Sequence, residues 1–313
     1  MKDYVFFKIL LVLLLFNPKT SYAINPPVIT ATGNQTYCPG TSLPIVQSVS
    51  ISFDSLEPTT DAVNIQISSG YIFGQDLLTL TGTNTGISYT WIPSEGKLKL
   101  YSLSKLPYAD FEAAIKNVMF SNSSTSPSGT RTFSISLGTG QLSYLPSNKH
   151  FYEYVPYLDI TWTAAKTAAA ARTYYGLQGY LATLTSATES QLAGAQAPGA
   201  GWIGGSDTGT IGVWKWVTGP EGLANAGTGT VFWNGGSNGS TTTYANWNSG
   251  EPNNPDTEFY AHIVAPGTPG TTAGTWNNLT NSGNSSGNYE PKGYIVEYGG
   301  MVPGDVDAIK ISA

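Results

Sequence analysis

Gly201-Trp202-Ile203-Gly204-Gly205 and Val213-Trp214-Lys215-Trp216-Val217 are two short runs dense in aromatic and branched residues, separated by a polar, Gly- and Thr-rich turn. Runs of this composition and length read as β-strands. Upstream, Trp162 to Tyr175 is rich in Ala and is closed by Gly176, which predicts a helix over that span with a glycine stop. A second helix start stands at Ser186-Ala187-Thr188-Glu189, where the Ser hydroxyl can cap free amides and a Glu three residues on can reach back. Downstream lies a long region of Gly, Asn, Ser and Thr, ending in the apolar run Gly293-Tyr294-Ile295-Val296-Glu297-Tyr298. Two early helices followed by strands and long loops make an α+β domain.

The first half has a different texture. Val49 to Phe53, Val63 to Ile67, Leu98 to Leu103 and Thr132 to Leu137 alternate apolar and polar positions and are separated by Gly, Asn, Pro and Ser. Only Tyr108 to Ile115 looks helical there. A β-sandwich is the expected solution. The chain of 313 residues opens with Lys2, an apolar stretch from Ile9 to Phe16 and Ser21-Tyr22-Ala23, the layout of a secretory signal peptide. The expected organisation is a signal peptide over 1–23, an all-β domain over 24–147, an α+β domain over 148–299 and a tail over 300–313. The apolar stretch is shorter than the roughly 20 residues that span a bilayer, so no membrane span is expected in the mature chain.

Composition narrows the partners. Only 11% of residues are charged, and the net charge is -6 with no basic cluster, which argues against a nucleic-acid partner. A single cysteine, Cys38, allows no internal disulfide, and its place before Pro39-Gly40 reads as a turn. Two histidines, His150 and His262, and that one cysteine form no nucleophile–base arrangement, so no enzymatic activity is expected. His262 falls in the alternating run Tyr260 to Val264 and reads as a strand residue. Glu251 and Glu258 share one Pro- and Asn-rich loop, which metal ligation explains better than glycoside hydrolysis.

The order of the second-half pieces carries a resemblance: the helix from Trp162, Gly179-Tyr180-Leu181-Ala182-Thr183-Leu184, the helix from Ser186, Trp202-Ile203-Gly204, Trp214-Lys215-Trp216, Glu251-Pro252-Asn253, Trp276-Asn277-Asn278 and a closing strand at Tyr294. Together they resemble a C-type lectin domain of bacterial secreted type. In the first half, Val63 to Tyr71, Tyr108 to Ile115 and Pro127 to Thr132 resemble cadherin-like repeats of bacterial surface proteins. The fold class implied is an α+β C-type lectin-like domain preceded by an all-β, cadherin-like sandwich. Cadherin-like modules often hold Ca²⁺, but Asp54, Glu57 and Asp61 read better as solvated loop acids. The lectin family usually ties its loops with disulfides, and Tyr260 and Val296 stand here where cysteines are expected.

What the lectin resemblance implies about function is specific. Glu251, Asn253, Glu258, Asn277 and Asn278 match the positions that hold one Ca²⁺ and, through it, two vicinal sugar hydroxyls. Ca²⁺ takes about 6 to 8 oxygen ligands, so sugar hydroxyls can complete an unfilled shell. The resemblance also implies a cis Glu251-Pro252 bond and hydroxyls of mannose-type geometry. Asn278 replaces the family's Asp and leaves two carboxylates, which predicts weaker Ca²⁺ binding, and Asp256 lies in the same loop. Asn254 and Phe259 stand where an auxiliary Ca²⁺ site would need acids. Among the tryptophans, Trp202, Trp214, Trp216 and Trp276 read as core, and Trp247 as a sugar-stacking candidate. The expected protein is secreted, extracellular or at a cell surface, and binds a glycan or glycoconjugate. The alternative is a metal-independent structural or interaction module whose partner is a surface protein.

Overall fold

The computed structural model describes residues 27–53, 58–138, 142–174, 176–265 and 267–301. The expected signal peptide, Asp54, Glu57 and nearly all of the tail lie outside the described residues. The architecture is mixed, mostly sheet with a few short helices.

In the first half, Ser88–Ile92, Lys97–Pro107, Thr59–Ser69 and Thr132–Leu137 form a four-stranded antiparallel sheet in that order. Leu43–Pro44, Val118–Asn122 and Asp76–Leu80 make a three-stranded sheet, and Val28–Thr32 pairs with Ser48–Ser52. The register sets Ile65 opposite both Leu98 and Ile135, and all three are fully buried. The helix Tyr108–Lys116 buries Tyr108, Phe111, Ala114 and Ile115, one face at helical spacing. Strand Thr59–Ser69 departs from simple alternation, because its polar positions Asn64, Gln66 and Ser68 are buried as well as Val63, Ile65 and Ile67. Leu142–Leu145 and the turn Ser190–Ala195 pack against this strand, and Gln66 Nε2 donates to Glu95 O at 2.9 Å while Gln66 Oε1 is buried without a partner. Cys38 is exposed, and Thr41 N donates to Cys38 O at 3.2 Å across a turn with Gly40 at φ 75°.

The second half is built on one large sheet whose main path runs Leu142–Leu145, His150–Pro156, Gly293–Tyr298, Gly201–Ser206, Val213–Trp216 and Thr230–Asn234. Leu177–Leu181 also pairs with Gly293–Tyr298, and Tyr260–Ile263 joins Gly201–Ser206 to Trp276–Leu279. The first and last strands of this half lie side by side, Glu153 opposite Val296. Leu142–Leu145, before residue 148, thus pairs within this sheet and also lies against Thr59–Ser69 and Thr132–Leu137.

The helix from Trp162 starts as read, with Thr161 Oγ1 accepting from Ala164 N, but it stops at Ala170 rather than at Gly176. Thr173–Tyr174 instead form a short strand with Leu177 and Gln178, turning through Gly176 at φ 84°. The bulky Tyr174 is better placed there, packed against Phe151 and Tyr298. The second helix is capped as expected, Ser186 Oγ accepting from Glu189 N, and continues as a π-helical turn over Ser190–Ala195. Trp214, Trp216, Phe232, Trp276, Ile203 and Ile263 form the core beneath the long loops. Among the described residues, no helix is long and apolar enough to cross a membrane.

Candidate functional site

The loop from Asn246 to Glu258 is pinned to the strand Trp276–Leu279. Trp276 N donates to Asn246 O at 2.8 Å, Asn248 N to Trp276 O at 2.7 Å, and Glu251 N to Asn248 O at 3.0 Å. The Glu251–Pro252 bond is cis, and Asn254 sits at φ 41°, a left-handed conformation that Asn tolerates in tight turns. Glu258 N then returns to Asn254 O at 3.1 Å. These bonds bring Glu251, Asn253, Glu258 and Asn278 together.

Within that group Glu251 is 9% exposed, its Oε1 accepts from Asn253 Nδ2 at 2.9 Å, and its Oε2 is buried with no partner. Asn253 Oδ1 is likewise buried and unpartnered. Burial, followed by the charge of Glu258, pushes the Glu251 carboxyl up to about 7, while the backbone amides of Asn278 and Asn253 pull the other way. Burial also raises Glu258, opposed by the 3.1 Å bond from Asn254 Nδ2. Two carboxylates held close and half-desolvated, beside two orphaned acceptor oxygens, form a pocket of excess negative potential. Such a pocket fits a hard cation, which would relieve both the repulsion and the unmet acceptors.

Asn278 is 2% exposed and is spent on the loop itself. Its Oδ1 accepts from Asn253 N at 2.8 Å, and its Nδ2 donates to Asn253 O at 2.6 Å and to Glu258 O at 2.7 Å. An ionised carboxylate can only accept, so Asn rather than Asp at this position is matched to a bracing role. Asn277 is not brought to the group. Successive strand residues face opposite sides, and its side chain pairs with the fully buried His262 across the ladder, Oδ1 to Nδ1 at 3.1 Å. His262 is held down to about 4 by burial, and it is a strand residue as read. Asp256 is exposed at the loop surface.

Trp247 is half-buried in an aromatic group, its ring 4.8 Å from Trp214 and 5.8 Å from Trp276, edge-on to both. Trp202, Trp214, Trp216 and Trp276 are buried core residues. Among the described residues, no group of three or more His, Cys, Asp or Glu side chains is placed to hold a metal ion, so the acids that meet at the site are the Glu251–Glu258 pair, with Asp256 apart on the loop surface.

Two features escaped the reading of the sequence. Asp207 is 2% exposed, with Oδ2 accepting from Gly212 N at 2.9 Å and Oδ1 buried without a partner, and its backbone amide donates to Phe259 O at 3.3 Å, next to Glu258. In sequence it is one more acid in a Gly- and Thr-rich turn. The second is a buried network in which the Tyr152 hydroxyl donates to Glu189 Oε1 at 2.9 Å and lies 3.2 Å from Glu297 Oε1, its alternative acceptor. His150 Nδ1 lies 2.5 Å from Glu297 Oε1, and Thr185 N and Oγ1 both donate to Glu189 Oε2 at 2.7 Å. A signal was available, since Glu297 interrupts the apolar run Tyr294 to Tyr298, and a carboxylate in a buried strand requires partners.

No protein-family model matches the chain. It is 35% identical over 251 residues, 77% of its length, to halomucin of Haloquadratum walsbyi (strain DSM 16790 / HBSQ001), and spans 2% of the length of that curated relative. Among solved structures it is similar to the carbohydrate-recognition domain of the mouse scavenger receptor C-type lectin, with TM-score 0.32 and 19% identity over 52% of this chain and 97% of that one. It is also similar to a calcium-independent type II antifreeze protein, with TM-score 0.31 and 17% identity over 50% of this chain and 94% of that one.

Proposed function

We propose that this chain is a secreted or cell-surface carbohydrate-binding protein of adhesive type, whose second half binds a glycan or glycoconjugate at the loop Asn246 to Glu258 with Ca²⁺ as the bridging ion. The observation that carries this reading is the pair of buried, unpartnered acceptors, Glu251 Oε2 and Asn253 Oδ1, beside a second carboxylate at Glu258. Glu251, Asn253 and Glu258 would hold the ion, and Asn278 would keep the loop in the shape that presents them. When bound, the ion supplies open coordination positions for vicinal hydroxyls. Mannose-type hydroxyl geometry is the sugar class we assign on the Glu251-Pro252-Asn253 motif.

Calorimetric Ca²⁺ titration followed by a glycan array with and without chelator tests the reading. Chelator-sensitive binding to mannose-, glucose- or fucose-type glycans supports it, and chelator-insensitive or absent binding overturns it. One observation favours a second reading, a metal-independent interaction module with a surface-protein partner: the side chains of Asn277 and Asn278 are both engaged within the protein. Absence of Ca²⁺ binding together with recovery of a defined protein partner is the outcome that reading requires.

A further inference from the structure

The π-helical turn Ser190–Ala195 touches both halves of the chain. Gln196 N donates to Gln191 O at 2.8 Å, the five-residue closure of a π-turn. In an α-helix two residues five apart would point about 140° away from each other. The wider turn brings Gln191 and Gln196 onto one side, and both donate to backbone carbonyls of the first half. Gln191 Nε2 reaches Tyr71 O at 3.2 Å, and Gln196 Nε2 reaches Ile67 O at 3.1 Å and Glu95 O at 2.6 Å. Gln196 is 3% exposed and meets the buried polar face of Thr59–Ser69, where Gln66 shares the Glu95 carbonyl and the buried pair Lys97–Glu95 closes the patch at 2.6 Å.

The opposite side of the turn reaches the candidate binding loop. A Cβ on Gly194 would stand 3.0 Å from Gly274 Cα, and one on Gly274 would stand 2.6 Å from Ala195 N, so two glycines let these backbones meet directly. Gly274 O accepts from Asn246 Nδ2 at 2.9 Å, and Asn246 O accepts from Trp276 N, whose own carbonyl takes Asn248 N. Asn248 O then holds Glu251 N. A continuous series of hydrogen bonds and glycine contacts runs from the sheet of the first half to Glu251.

We propose that the turn Ser190–Ala195 is a latch through which the first half positions the Asn246–Glu258 loop, with Gln191 and Gln196 as its positioning residues. The latch performs the loop-fixing role that covalent cross-links cannot perform in a chain with one cysteine. Its action does not depend on what the loop binds.

The test is hydrogen–deuterium exchange with mass-spectrometric readout on the full chain, comparing wild type with Gln191→Ala, Gln196→Ala and the double variant, all without Ca²⁺ or sugar. Amides in 246–251 and 274–278 are expected to exchange about tenfold faster in the double variant, the weight of the three lost hydrogen bonds at the low end of the usual range, while strands Val118–Asn122 and Gly293–Tyr298 keep their protection. Equal acceleration everywhere, or unchanged exchange in 246–251 and 274–278, overturns the latch. If Gln196→Ala fails to fold, the half-exposed Gln191→Ala is read alone in the same segments, with the same two outcomes. Because no ligand is used, failure here is distinct from failure of the sugar-binding reading.

Discussion

The carboxamide of Asn278 holds Asn253 by both of its backbone polar groups, accepting from its N–H at 2.8 Å and donating to its C=O at 2.6 Å, while a third bond reaches Glu258 O at 2.7 Å. The loop carrying the candidate ligands is braced by a neutral side chain that a carboxylate cannot replace. Asn278→Asp loses two donors and sets a charge against two carbonyls. In chelator the variant should lose about 1–3 kcal/mol of stability, the usual cost of leaving buried polar groups unpaired. Ca²⁺ should restore more stability to it than to the wild type, because the added carboxylate is an ion ligand in waiting. Thermal unfolding with chelator and with excess Ca²⁺ checks both parts.

Asn277 and Asn253 separate by what they touch. Asn277→Ala leaves the His262 ring nitrogen unpaired in the core and is expected to cost about 1–3 kcal/mol, with Ca²⁺ affinity of the folded protein changed less than about twofold. Asn253→Ala is expected to weaken Ca²⁺ binding by about tenfold or more, a loss of at least one ligand. Paired calorimetry and urea unfolding of the two variants distinguish them, and a large affinity loss in Asn277→Ala would contradict the placement of its side chain.

Glu251 gives the candidate site a pH dependence of definite sign. Its folded value of about 7 lies above the ordinary 4.5, so in the ion-free protein its contribution to stability is full below about 4.5 and is lost as pH rises through 7. Urea midpoints in chelator should therefore fall between pH 5 and pH 8 by more in the wild type than in Glu251→Gln. Ca²⁺ affinity should run the opposite way, rising with pH over the same window with uptake of the ion releasing a proton. Proton release measured by calorimetry in buffers of different ionisation enthalpy reads this directly.

The network around Tyr152 is structural, and its removal is expected to be costly. Glu297→Ala strips His150 and Thr183 N of their buried acceptor and should destabilise by about 3–5 kcal/mol, as for breaking a buried charged pair. His150 and Glu297 are both raised, Glu297 mainly by burial and His150 by its bond and charge contact with Glu297 against the burial that opposes it, so this network too favours the lower pH side. Chemical denaturation of the variant at pH 6 and pH 8 should show the larger loss relative to wild type at pH 6.

Trp247 packs edge-on to Trp214 and Trp276 at the margin of the core. Trp247→Ala is expected to lower stability by about 1–3 kcal/mol for a half-buried indole. Loss of glycan binding with stability unchanged would instead mark it as a stacking platform.

The strands around Trp202, Trp214 and Tyr294 were readable because each is a short apolar run between polar turns, and the start of the helix at Trp162 because capping is local. The end of that helix was not, since the pull on Tyr174 comes from Phe151 and Tyr298, distant in sequence. Asn64, Gln66 and Ser68 are the polar positions of an alternating strand, and they are interior because Leu142–Leu145 and the turn Ser190–Ala195, distant in sequence, pack against that strand. At the candidate site the residue types were legible but their directions were not. Asn277 and Asn278 are equivalent as letters, and the strand pairing with Tyr260–Ile263 alone sends one to His262 and the other to the loop. The partners of Glu297 lie across the fold, beyond the reach of any local pattern.

The second half closes on itself, His150–Pro156 running alongside Gly293–Tyr298 from the pair Phe151–Tyr298 to the pair Pro156–Gly293. Mechanical tension entering through the two ends of this half is therefore borne by that ladder. The loop from Asn246 to Glu258 takes no part in that ladder, so its shape is insulated from tension applied at those two ends.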